Sequence, residues 1–182
     1  SVTIIGHAKN LLRSHLAATG DQLVLAVDLD GRAGCRSVAS WDANSGKSSE
    51  ELRRRLEALP IIAECGASSA AKDISNAGII GTTAIMLENS GKGADIDIDA
   101  IPIPNSLTLD QWVLCFQSFG FILSVPPKHT DQVLSVFSER QITAKVIGIV
   151  RAEPVVTVCS GDDSKILFDF NRDIITGIRS PH

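Results

Sequence analysis

The stretch Lys72-Asp73-Ile74-Ser75-Asn76-Ala77-Gly78-Ile79-Ile80-Gly81 has the residue types of an anion site at a helix start. The first backbone N–H groups of a helix have no partner within it, and the helix dipole adds partial positive charge there. Ser75 or Asn76 can cap the first turn. Lys72 can supply a cation, and Asp73 can orient the turn. Gly78 and Gly81 let a ligand or another backbone come close. The amides of Ser75, Asn76, Ala77 and Gly78 would then cradle a phosphate. The same residues also read as a well-capped helix packing a glycine face against a sheet.

Other groups invite chemistry. Asp28 and Asp30 follow an apolar run, and carboxylates at a strand end can hold Mg²⁺ beside a substrate phosphate or simply bond their own turn. Trp41-Asp42-Ala43-Asn44-Ser45-Gly46-Lys47-Ser48 approaches a Walker phosphate loop, but Trp41 stands where the first glycine is required. On the residues alone this stretch reads as a solvated loop anchored to the core by Trp41. Asp95, Asp97 and Asp99 alternate along one strand face. Ala100 and Ser106 stand where a calcium loop needs Gly and Glu, so a wet face or a guarded edge is the reading. His7, His15, His129 and His182 have no partner at metal-ligand spacing, and no metal ligands are assigned. His15 reads as a half-buried helix residue.

The chain of 182 residues is long enough for one domain with a proper core, and 44% hydrophobic with 21% charged residues is ordinary for a globular protein. A formal charge of −4 offers no basic footprint for nucleic acid. No apolar run approaches the ~20 residues of a membrane helix. Ser1-Val2-Thr3 lacks an initiator Met and does not open a signal peptide, so the chain is trimmed or a piece of something longer. Cys35, Cys65, Cys115 and Cys159 form no C-x-x-C unit, and buried free thiols in a reducing cytoplasm are expected.

These groups are positioned by alternating elements. Val2–Ile5 reads as a strand and Ala8–Ala18 as a helix. Gln22–Leu29 reads as a strand buried on both faces. Ser48-Ser49-Glu50-Glu51 is a capping box for a helix with Leu52, Leu56 and Leu59 inward, ended or kinked by Pro60. Ile80, Ala84 and Leu87 mark one face of the helix after the central loop, with Gly91 as its left-handed stop. Ala94–Ala100 alternates as a strand. Thr108-Leu109-Asp110-Gln111 opens a short helix. Phe119–Val125, a helix from Pro126 through Arg140, and Thr143–Val150 form one strand-helix-strand crossover. Residues 154–159 and 165–170 read as a hairpin. The fold class is α+β: a mixed β-sheet with helices on its faces, partly ferredoxin-like, as a single domain over 1–182 with a frayed tail at 171–182.

Lys72–Thr82, then Glu88-Asn89-Ser90-Gly91, Gly93–Asp99, Phe119–Val125 and Ile142–Gly148, in that order, resemble one domain. It is the C-terminal domain of the aminoimidazole ribonucleotide (AIR) synthetase superfamily, over roughly residues 20 to 150. That superfamily includes formylglycinamidine ribonucleotide synthetase, selenophosphate synthetase, thiamine-phosphate kinase and a hydrogenase maturation factor. The resemblance implies an ATP-dependent synthetase or kinase whose ATP and Mg²⁺ are held largely by an N-terminal domain, with no counterpart in 1–182. It implies that this domain is the substrate side, a homodimer when full length, and inactive as an isolated chain. Lys72, Ser75 and the Asn76–Gly78 amides would hold the acceptor's phosphate, Asp28 or Asp73 would orient the nucleophile or metal, and the insert with Trp41, Asp42 and Lys47 pointing in would reach over the substrate cleft. Asp-Ile-Ser-Asn-Ala-Gly departs from each known version of the loop, so no small-molecule substrate is named. The alternative is a non-catalytic anion-binding or dimerisation module.

Overall fold

The computed structural model describes residues 3, 5–34 and 39–178. In chain order the elements are β1 (Gln22–Val27), β2 (Arg32–Ala33), β3 (Ser40–Asp42), α1 (Ser49–Leu56), α2 (Ala58–Glu64), β4 (Ala70–Asp73) and α3 (Gly78–Asn89). There follow β5 (Gly93–Asp97), α4 (Leu109–Leu114), β6 (Phe116–Gln117), β7 (Gly120–Val125) and α5 (Thr130–Ser138). The chain closes with β8 (Thr143–Arg151), β9 (Val155–Ser160) and β10 (Asp163–Asp169).

Seven strands form one mixed sheet in the order β10-β9-β5-β8-β1-β7-β4, and β2-β3-β6 form a small second sheet. β7 and β8 both pair antiparallel with β1, one on each side, so the crossover through α5 spans the strand between them. Only β5 and β9 pair parallel in the large sheet. Leu23 to Val27 are wholly buried because alternate residues feed two cores. Leu23, Leu25 and Val27 pack with Ile79, Met86 and Leu87 of α3 and Trp112 of α4. Val24 and Ala26 pack with Ile62 of α2 and with Val133 and Phe137 of α5. The α+β fold with helices on both faces follows directly from that alternation.

Several local expectations give way to tertiary contacts. Residues 8–18 are not a helix. Their amides bond outward instead: Arg13 N to Ser69 O (2.9 Å), Ala17 N to Ser90 Oγ (3.1 Å) and Ala18 N to Ser124 Oγ (3.3 Å). Leu11, His15 and Leu16 are exposed. Thr3 and Ile5 lie in no strand, and Val2 and Ile4 lie outside the described residues. The residue that α1 buries is Arg55, not Leu56, which is exposed. The chain breaks at Glu57 between the helices, and Pro60 sits in the first turn of α2, where a missing N–H costs little.

The strand expected to run to Ala100 ends at Asp97 and gives way to a 3-10 turn over Ile98–Ala100; β5 lies inside the sheet, so Asp95 and Asp97 guard no edge. Asp95 pairs with Arg151 (2.7 Å), Asp97 accepts from Asp99 N (3.0 Å), and Asp99 accepts from Ser160 and Gly161. Cys65 is exposed, Cys115 is buried and Cys159 half-buried, all as free thiols, and Cys35 lies outside the described residues. Burial pushes the Cys115 thiol pKa up.

The tail expected to fray from residue 171 is held as far as Gly177. The buried Glu88 carboxylate of α3 accepts from Ile175 N (3.0 Å), Thr176 N (2.8 Å) and the Thr176 hydroxyl (2.6 Å). Residues 179–182 lie outside the described residues. No helix among the described residues is long and apolar enough to cross a membrane.

Candidate functional site

The residues singled out by type and spacing gather at one end of the sheet, where β1 and β4 finish and β7 begins. The register places Val27 opposite Gly120 and Asp73 opposite Phe121. Within that end they divide into three groups.

The first group surrounds Asp28, the residue after β1. Its side chain is 1% exposed. It forms an ion pair with the Arg55 guanidinium of α1 and lies 3.5 Å from Lys47 Nζ. Its Oδ1 also accepts from Asp30 N (2.9 Å), the local turn bond expected of such a residue. Lys47 reaches Asp30 Oδ2 as well (3.3 Å), and Arg55 Nη2 donates to Glu51 Oε1 (3.0 Å). Burial lowers the Arg55 pKa. A carboxylate engaged by two cations is a poor general base and a poor Mg²⁺ ligand, because their charge opposes a third cation. Among the described residues no three His, Cys, Asp or Glu side chains are grouped so as to hold a metal. The donor set around Asp28 and Asp30 therefore does not fit Mg²⁺.

Trp41 belongs to the same group from the inside. Its indole Nε1 donates to Asp28 O (2.8 Å), and its ring meets Trp112 edge-on at 5.4 Å. It anchors the 39–48 loop in the core and does not point into a cleft. Asp42 organises the loop it starts. Hydrogen bonds from Ser45 and Asn44, with Arg32 nearby, lower its pKa to about 2.

The second group is the mouth of α3. Ile74 N donates to Gly120 O (2.9 Å), which ties the loop to the sheet end. Gly78 takes a left-handed φ of 65°, and its N–H donates to Ser75 O (2.8 Å). A Cβ there would lie 2.1 Å from Val113 O, so α4 packs directly on the glycine. The N-cap position is Ala77, with no side-chain cap bond. The capping expected from Ser75 or Asn76 does not form, because the turn at Gly78 places both ahead of the cap. Ser75 N instead donates to Thr82 Oγ1 (3.4 Å). Asn76 and Ala77 are exposed.

The third group is Lys72 with Asp73, 3.5 Å apart, on the outermost strand β4. They line a cleft of about 410 Å³ with Leu12, Leu59 and Phe121, and none of Ser75–Gly78 lines it. The structure thus separates the lysine from the loop amides with which it was grouped.

Gln117 was passed over in the sequence, and it connects the groups. It sits opposite Trp41 in the β3–β6 register, and its N–H donates to Ile74 O (3.1 Å). Its carboxamide packs against Gly120, where a Cβ would lie 2.2 Å from Oε1. The side chain is 7% exposed, yet neither Oε1 nor Nε2 has a hydrogen-bond partner among the described residues. A buried carboxamide without partners is uncommon. A lone Gln between Phe116 and Ser118 carries no signal of this.

With this geometry established, comparisons with known proteins are informative. The family described as AIR synthase related protein, C-terminal domain, matches residues 18–159. An uncharacterized protein of Synechocystis is 36% identical over 176 residues, covering 97% of this chain and 55% of that protein. The phosphoribosylformylglycinamidine synthase subunit PurL of Methanopyrus kandleri is 26% identical over 168 residues, covering 84% of this chain and 23% of the subunit. The fold is also that of Thermotoga maritima PurL, solved in complex with ATP, with a TM-score of 0.68, 18% identity, and coverage of 88% of this chain and 27% of that one. The chain thus spans about half the length of the first relative and about a quarter of the synthase subunits.

Proposed function

Because this chain belongs to the AIR synthase related protein C-terminal domain family, we propose that it is the substrate-side domain of an ATP-dependent enzyme and holds an anionic small molecule at the mouth of α3. The observation that carries the reading is the α3 start. Its cap position has no side-chain bond, and the exposed Asn76 and Ala77 leave solvent access to it. Backbone N–H groups there, with the dipole of a 12-residue helix behind them, favour a phosphate or carboxylate. Gln117, whose N–H donates to Ile74 O, ties the segment before that mouth to the sheet end.

Asp28 takes a positioning role in this reading. It fixes Arg55, Lys47 and the 39–48 loop at the sheet end rather than taking a proton or a metal. Asp73, exposed on the edge strand and paired with Lys72, lies in the separate cleft and takes no part in this reading. ATP, its Mg²⁺ and the transfer chemistry would then fall to the part of the relatives that this chain does not match, and a homodimer to the full-length protein. The ATP-complexed Thermotoga relative is consistent with ATP use in the family. The locked Asp28 also favours the second reading, a module that binds the anion without chemistry.

Titration with inorganic phosphate, followed by backbone amide NMR, tests the site. Saturable shifts at residues 75–81 are expected. Unmoved amides there, with phosphate present well above millimolar, would remove the anion site and leave a packed helix start.

A further inference from the structure

We propose that the cleft beside the edge strand β4 binds a free apolar α-amino acid as its zwitterion. The cleft measures about 410 Å³ and lies between α2, the outer end of the sheet and the segment before β1. That volume falls within the roughly 300–1,000 Å³ of pockets that enclose small ligands. None of residues 75–78 lines it, so the site is separate from the mouth of α3 and does not rest on the anion reading.

The wall has an apolar side and a charged end. Leu12, Leu59 and Phe121 form the apolar side, each partly buried against the core around Val24 and so fixed in place. The bond from Arg13 N to Ser69 O (2.9 Å) holds the segment carrying Leu12 beside the sheet. At the charged end Lys72 Nζ lies 3.5 Å from Asp73 Oδ1. Asp73 stands opposite Phe121 in the register and therefore shares its face of the sheet. Both charged groups are within reach of solvent: the Lys72 side chain is 20% exposed and that of Asp73 66%. The other polar residues on the wall, Asn10 and Ser14, are uncharged, so among the described residues that line it the cleft carries one charge of each sign.

That pair carries the inference. An ammonium has three donors and a carboxylate about four acceptor sites. Among the described residues Lys72 and Asp73 have only each other as charged partners, at a separation longer than a good hydrogen bond. A guest of a single sign would gain one contact and be repelled by the neighbouring charge. A zwitterion gains both: its carboxylate takes Lys72 and its ammonium takes Asp73. In an α-amino acid one carbon carries the two groups, which suits a pair of protein charges this close together. The N–H of Asp73 adds a donor for the carboxylate. Ile74 N donates inward to Gly120 O, backbone groups alternate in direction along a strand, and so Asp73 N–H faces the free edge of the outermost strand. The guest's side chain then lies along Leu59 and Phe121. A residue inside a peptide lacks both charges, so the free amino acid is the class that fits.

The test is an NMR titration of the full 182-residue chain with L-leucine. The backbone amides of residues 59–63 and 71–73 are expected to move saturably in the millimolar range, while amides 75–81 stay in place. Isocaproate keeps the leucine skeleton without the ammonium, and isoamylamine keeps it without the carboxylate. Each should bind roughly tenfold more weakly, the effect of losing one charge-assisted contact. Glycine, without an apolar side chain, should bind more weakly as well. Lys72→Met and Asp73→Asn alter the edge strand and should keep the fold, checked by circular dichroism, with a similar tenfold loss for leucine. The proposal is overturned if leucine well above millimolar leaves amides 71–73 unmoved, if isocaproate or isoamylamine binds as tightly as leucine, or if both variants titrate like the parent. The three ligands on the parent chain decide the matter should either variant not fold. Phosphate shifts at 75–81 and leucine shifts at 71–73 are read separately, so either site can fail alone.

Discussion

A carboxylate at the end of a buried strand can act as a base, a metal ligand or a counter-ion, and Asp28 is held in the last of these roles. Its 1% exposure leaves the charge dependent on Arg55 and Lys47. Removing one partner of such a pair leaves the other buried and uncompensated, which costs about 3–5 kcal/mol. Arg55→Met is therefore expected to lower the unfolding free energy by about that amount, measured by urea denaturation. A loss below about 1 kcal/mol would mean that Lys47 alone satisfies Asp28. Gln117 illustrates the opposite case, a residue of no apparent chemistry whose position makes it a candidate. Residue type is visible in the sequence, but whether a polar atom has a partner is not, because the partners are supplied by distant segments.

Among the elements, α3 carries the proposed anion site. It is buried nearly all round, between the sheet, α4 and the tail, so its start is set by packing as much as by capping. Gly78 combines a positive φ with a backbone carbonyl 2.1 Å from where a Cβ would stand. Gly78→Ala should lower stability by at least about 2 kcal/mol, adding left-handed strain to a displaced α4. Thermal denaturation measures the loss, and the phosphate response at residues 75–81 should vanish with it. A fully stable variant would show that α4 yields to the added methyl group. The segment 8–18 teaches a related lesson. Leu11, Leu12 and Leu16 have helical spacing, but the amides of Arg13, Ala17 and Ala18 find partners in Ser69, Ser90 and Ser124. Tertiary hydrogen bonds outweighed a weak local preference.

Across the whole molecule, Glu88 joins the last described segment to the central helix. Burial works to raise its pKa, but hydrogen bonds from the Thr176 hydroxyl and from the amides of Thr176, Ile175 and Gly177 outweigh it, and the carboxyl titrates below its usual value. A depressed carboxyl contributes stability that is present above its unfolded pKa and lost as pH falls through the folded one. The melting temperature should accordingly fall on acidification below the ordinary glutamate range. Glu88→Gln should melt lower at neutral pH and depend less on acid. Parallel pH profiles for the two proteins would show that the tail contributes nothing to this linkage.

The sequence alone determined the double burial of β1 and the glycine-marked helix start, since each is written in local residue spacing, and its ordered motifs carried the resemblance to the family. Only the tertiary structure decided which charges are spent. It placed Arg55 against Asp28, moved Lys72 and Asp73 into a separate cleft, and left the carboxamide of Gln117 without a hydrogen-bond partner among the described residues. The physical reason is that spacing along a chain fixes which face a side chain occupies, whereas the availability of a charge or hydrogen bond depends on what other segments bring to that face.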